Sequence, residues 1–165
     1  MAAKILNKVV PTLVALVIVG LIIYAIVAQI RENHLRDDPK LQNIVEHIRP
    51  LFQRKDYGGR LAPLNDRNLL GEIDLLEGDH SYTLNKHKVY LCLKDDAGNY
   101  YDDNTLVFVM LHELTHCILT DVLDHPPEFR EAFHDLLQRA IQMGIYDPSK
   151  PIPHDYCNWQ EHAKN

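Results

Sequence analysis

The chain has 165 residues, 46% of them hydrophobic, and 17 Lys and Arg against 23 Asp and Glu give a formal net charge of −6. This length suits one domain, and the acidic balance argues against nucleic acid as a partner, because a protein that grips phosphates needs a basic footprint.

The first element is "VVPTLVALVIVGLIIYAIVAQI", residues 9–30, which carries no charge. As a helix it would reach about 33 Å, enough to cross a bilayer. It is longer than the roughly 7–15 apolar residues of a signal peptide, and no good small-x-small cleavage site precedes Gln29. The expected organisation is therefore an N-terminal flank (1–8), a single-pass transmembrane helix in contact with lipid (9–30), a polar juxtamembrane linker "RENHLRDDPK" (31–40) and one domain (41–165). Lys4 and Lys8 before the span nearly balance Arg31, Arg36 and Lys40 after it, so basic residues do not set the orientation. Residues 31–60 carry the only basic excess beyond the span, which suits lipid headgroups. Cys92, Cys117 and Cys157 are odd in number and lack CxxC spacing. They read as core or free thiols, which leans towards a reducing compartment and hence the cytoplasmic side.

Within the domain, "LQNIVEHIRPLFQ" puts Leu41, Ile44, Val45 and Ile48 at helical spacing, with Pro50 interrupting near the end. "KDYGGRLAPLNDR" has the glycines and proline of a loop. Short strands joined by turns follow, and "KVYLCLK" shows the period-2 alternation of Val89, Leu91 and Leu93. Asp102, Asp103 or Asn104 can cap the next helix, "TLVFVMLHELTHCILT", whose apolar residues nearly all round mark it as the buried central one. Pro126 and Pro127 open a further helix with Phe129, Phe133, Leu136, Leu137, Ala140 and Ile141 as its stripe and Gly144 at its close. The proline-rich tail from Tyr146 reads as extended.

His112 and His116 lie one helical turn apart, so their imidazoles can converge on one tetrahedral ion, and Glu113 can reach the water such an ion would hold. A buried helix that must hide two imidazoles and a carboxylate gains from a metal that binds the imidazoles. A catalytic zinc needs a third protein ligand and an open fourth position. Glu128, Glu131, Asp121 and Asp124 are available, but His125, nine residues after His116, is preferred because one more turn and a reversal bring it back. The pattern with a glycine between the second and third histidines is excluded, since none lies between His116 and Gly144. His154, Tyr156 and Tyr82 are candidates to assist an oxyanion, and Cys117 reads as core. A substrate peptide could pair along a strand edge at "SYTLN" or "KVYLC".

"HELTH", then "HPPEF" after a short gap, preceded by "KVYLCLK" and "LVFVML", resembles the WLM-type and SprT-like zinc metallopeptidases over roughly residues 82–137. In that family an aromatic follows the third histidine by four positions, and Phe129 stands there after His125. The resemblance implies His112, His116 and His125 as Zn2+ ligands, Glu113 as the base, and an α+β, zincin-like domain with a short antiparallel or mixed sheet packed on the HExxH helix. The expected function is membrane-anchored hydrolysis of peptide bonds in protein or peptide substrates. Two alternatives are a DNA-associated crosslink-repair protease, which the acidic charge disfavours, and a non-catalytic membrane protein with a structural zinc site.

Overall fold

In the computed structural model, which describes residues 2–157, α1 (Ala2–Arg36) is one continuous helix of 35 residues. Its stretch Leu13–Ile30 is long and apolar enough to cross a membrane, and a signal sequence near the N-terminus meets the same description. The helix does not stop where the apolar run stops. It takes in the expected flank from Ala2 and most of the expected linker, leaving Asp37 and Asp38 as the whole connector. The physical reason is Pro39, whose ring drives the preceding residue out of helical backbone; Asp38 sits at φ −60°, ψ 124°. Met1 and residues 158–165, the outer ends of the expected flank and domain, lie outside the described residues. The chain divides into two compact units between Leu35 and Arg36.

α2 (Pro39–Gln53) starts from a full N-cap: the Asp38 carboxylate accepts from the backbone N–H of Lys40 at 2.7 Å and of Leu41 at 3.3 Å. Its buried face is Leu41, Ile44, Val45, Ile48, Leu51 and Phe52, the expected stripe extended by one turn. Pro50 lies inside the helix and does not end it, because burial of Leu51 and Phe52 holds the last residues in place. The expected loop after α2 contains a 3-10 helix, Gly59–Asn65, and a short α3 (Leu69–Glu72) follows.

Three strands, β1 (Asp74–Glu77), β2 (Tyr82–Leu84) and β3 (Lys88–Leu91), form a mixed sheet in the order β1–β3–β2. β1 runs parallel to β3, and β2 antiparallel with Thr83 opposite Val89. Asn85 and Lys86, both at positive φ (53° and 59°), make the tight turn between β2 and β3, closed by the His87 N–H on the Leu84 carbonyl at 3.1 Å. Such a turn matches the twist of the strands it joins. With a neighbour on each side, β3 cannot accept a further strand, so "KVYLC" is not an edge; β2 is. Its Tyr82 and Leu84 are exposed, and Thr83 between them turns inward.

α4 (Asp103–Ile118) begins where the Asp102 carboxylate accepts from the Thr105 N–H at 3.1 Å. It packs against α2, α5, β2 and β3, with Leu106, Val107, Val109, Met110, Leu111 and Leu114 fully enclosed. α5 (Pro127–Gln142) lays Phe129, Ala132, Leu136 and Ala140 on the core, and Gly144 at φ 69° ends it. The fold is therefore α+β, with a small mixed sheet beside a central helix.

The tail corrects the reading of the cysteines. Cys92 and Cys157, 65 positions apart in sequence, form a disulfide, while Cys117 is a buried free thiol as expected. The pairing depends on Tyr156, which is fully buried, packs on Tyr101, shares a 2.9 Å hydrogen bond with the Ser81 hydroxyl and donates to the Cys92 carbonyl at 2.6 Å. An odd cysteine count carries no sign of this, because the contact is made by a tail folding back on the sheet. Closing a 65-residue loop constrains the unfolded chain by about 4 kcal/mol. The double variant Cys92→Ser/Cys157→Ser is expected to lose about that much stability. Denaturant melts of parent and variant under non-reducing conditions measure it, and coincident midpoints would overturn the tie.

Candidate metal centre

The helical period brings His112 and His116 to one face of α4 one turn apart, and the loop between Leu119 and Pro126 returns His125 to the same place. The Nε2 atom of His125 stands 2.9 Å from that of His112 and 3.2 Å from that of His116. All three ligand atoms lie within 4.8 Å of one another, and no other set of three ligand-type side chains converges in this way among the described residues. A tetrahedral zinc with Zn–N bonds of about 2.0–2.1 Å needs nitrogens about 3.3 Å apart, so the set fits such an ion with little opening. The donor chemistry agrees: the Nε2 atoms face each other, and protons alone satisfy such a triangle poorly. Phe129, from the first turn of α5, packs on all three rings, with centroids 5.0 Å from His112, 4.3 Å from His116 and 4.7 Å from His125.

The loop carrying His125 is held by its backbone. Lys86, in the β2–β3 turn, donates to the carbonyls of Leu119, at 3.1 Å, and Val122. Arg67 donates to the Cys117 carbonyl at 3.3 Å and Arg130 to the His125 carbonyl at 2.7 Å. Arg67 and Lys86 thus meet carbonyls at and just past the C-terminal end of α4, where the helix dipole favours positive charge. Asp124, at φ 57°, reverses the chain just before His125. Asp121 instead pairs with Arg60 at the surface, and Asp121, Asp124, Glu128 and Glu131 all lie outside the histidine group.

Glu113 is 4% exposed, next to His112 on the helix. Burial pushes its carboxyl up to about 7, and a hydrogen bond from Thr83 offsets part of that. The Thr83 hydroxyl lies 2.8 Å from the Glu113 Oε2 and 2.9 Å from the Glu113 carbonyl oxygen. A hydroxyl can donate to a carboxylate or accept from its acid. Sequence reasoning missed Thr83 and Lys86, which look there like an ordinary strand threonine and a turn lysine. Of the expected oxyanion partners, Tyr156 uses its hydroxyl on Ser81 and Cys92, Tyr82 stacks on Tyr90 at 4.7 Å, and His154 is exposed.

No family model matches the chain, and no solved structure matches it. It is 36% identical over 153 residues to the uncharacterized protein 042R of Invertebrate iridescent virus 3, a match covering 86% of this chain and 94% of that protein. The chain belongs to the family of protein 042R. It is also similar to the uncharacterized protein 136R of Invertebrate iridescent virus 6, at 45% identity over 111 residues, which is 66% of this chain and 62% of that protein. The uncharacterized protein R325 of Acanthamoeba polyphaga mimivirus is 33% identical over 81 residues, 47% of this chain and 41% of that protein.

Two substitutions separate ligand from support. If the three imidazoles hold zinc, His125→Ala abolishes stoichiometric binding, while Lys86→Met, which frees the Leu119 and Val122 carbonyls of the loop that carries His125, weakens it with helix content unchanged. Metal competition titrations of both variants provide the check; parent-like affinity in His125→Ala would remove that residue from the ligand set.

Proposed function

We propose that the chain is a membrane-anchored zinc metallopeptidase of the HExxH kind, with a zincin-like site similar to that of the WLM-type and SprT-like enzymes, acting on protein or peptide substrates. The observation that carries this reading is the convergence of three imidazole nitrogens at 2.9–3.2 Å beside a buried glutamate. His112, His116 and His125 would hold the zinc. When bound, the ion supplies the Lewis acidity that makes water a nucleophile near neutral pH and stabilises a developing oxyanion. Glu113 would serve as the base that accepts a proton from the attacking water and returns it to the leaving amine. Apolar surroundings keep this carboxyl basic enough to accept the proton.

β2 supports a peptide as substrate, since an extended chain can pair with an edge strand without regard to its own sequence. Tyr82 and Leu84 stand exposed along that strand. The apolar stretch of α1 would place the domain beside a bilayer and raise the local concentration of membrane-borne substrates. A stable disulfide favours an oxidising compartment over the reducing one inferred from cysteine count. If so, alkylation of intact producing cells with a membrane-impermeant thiol reagent, after mild external reduction, labels Cys92 and Cys157; labelling only after lysis would put the domain inside.

The decisive experiment measures zinc content and peptide hydrolysis together on the full chain in detergent micelles. The parent is expected to carry one zinc per chain and to cleave an unfolded protein substrate. Glu113→Gln keeps the zinc and loses activity by a factor of about 10²–10⁴. A folded parent without zinc, or equal cleavage by the Gln variant, would end the peptidase reading; a Gln variant that fails to fold would favour a structural role for the cluster.

A further inference from the structure

We infer that Thr83 is a positioning residue for Glu113: its hydroxyl fixes the carboxylate of the base before substrate arrives. The inference rests on the hydrolytic reading above. Thr83 Oγ1 contacts both the side chain and the backbone carbonyl of one residue, at 2.8 Å and 2.9 Å, across 30 positions of sequence. The hydroxyl has one hydrogen, which goes to the Glu113 carboxylate in its ionised form, with the Glu113 carbonyl oxygen as the alternative acceptor at nearly the same distance. A glutamate side chain has three rotatable bonds, and a reacting group already held in place spares the reaction the entropy of ordering it.

The strand that presents Thr83 is itself fixed. Two residues earlier, the Ser81 hydroxyl accepts from the Cys92 N–H at 3.0 Å and bonds the buried Tyr156 hydroxyl at 2.9 Å. On the other side of Thr83, the tight turn at Asn85 and Lys86 sets the register opposite Val89. Alternation along β2 turns Tyr82 and Leu84 outward, so position 83 is the one place on this strand from which a short side chain meets α4. Threonine suits the place because it is β-branched, favoured in strands and stiff about its first side-chain bond.

The test compares the full-length parent with Thr83→Val, which keeps the shape and removes the hydroxyl, and Thr83→Ser, which keeps the hydroxyl. Infrared spectra of chains labelled with 13C-glutamate, each subtracted from the same background carrying Glu113→Gln, isolate the Glu113 carboxyl band. In the Val variant this band is expected to move and broaden while zinc content stays at the parent value, and in the Ser variant to return to the parent position. Cleavage by Thr83→Val should fall in kcat by about tenfold or more, with KM little changed, and Thr83→Ser should restore it. A Val variant with the parent's band and the parent's kcat overturns the inference. A parent that cleaves nothing sinks the peptidase reading alone, because the band still decides what Thr83 does. Should Thr83→Val lose its helix content, Thr83→Ala and Thr83→Cys, which remove or weaken the donor, are read in the same way.

Discussion

Glu113 is a carboxyl group on a helix whose other faces are filled with apolar side chains, and a group in that position must find a proton, a cation or a hydrogen-bond donor. The same helix carries His112 and His116, each with a ring nitrogen that needs a partner of its own. The rest of the domain is arranged around meeting these needs. β2 crosses α4 where Thr83 can reach Glu113, and the chain after α4 turns back where His125 can reach both other histidines. Among the described residues no buried side-chain nitrogen or oxygen is left without a partner. Phe129 then closes the histidine group from beneath, so that one wall of the site is also part of the core.

A line of contacts links the disulfide to Glu113. Cys157 is bonded to Cys92, Tyr156 beside it donates to the Cys92 carbonyl and meets Ser81, and Ser81 leads directly into β2, which presents Thr83 to Glu113. A strand of three residues at a sheet edge has little pairing energy of its own. Its position is therefore set from both ends, by the tail at Ser81 and by the tight turn at Asn85 and Lys86. Lys86 completes the arrangement, because the turn that ends β2 also holds carbonyls of the loop that carries His125.

What could be read in the sequence was what repeats locally. The stripes of α2, α4 and α5 follow from a helical period, and His112, Glu113 and His116 fall into place with them. His125 was reachable because a short connection between two packed helices leaves few routes for the chain. Thr83 and Lys86 were not legible, since their contacts span 30 and 33 or more positions and neither belongs to any spaced pattern. The disulfide failed for the same reason, compounded by a third cysteine that serves only the core. The polar segment after the apolar run continues α1 as far as Arg36, because polar helix formers extend a helix until a proline stops them.

The ligand loop shows how the two parts of the site differ in strength. Between Leu119 and Phe129 only Val122 packs against the core, while Leu123 is 80% exposed and Asp124 adopts a left-handed backbone. Apart from its ring contact with Phe129, His125 is placed by hydrogen bonds from Lys86 and Arg130 to carbonyls, each worth a few kcal/mol at most when charge-assisted and less where water competes. His112, by contrast, is placed by a helix that apolar packing holds whether or not a ligand is present. A cation bound by all three residues would contribute most of its free energy to ordering the loop, since α4 is already ordered. The two helices meet through Phe129, Ala132 and Leu136, which do not depend on the metal. Opening of the site would then be a local release of His125 with the fold intact, and the half-site on α4 would be ready for the loop's return.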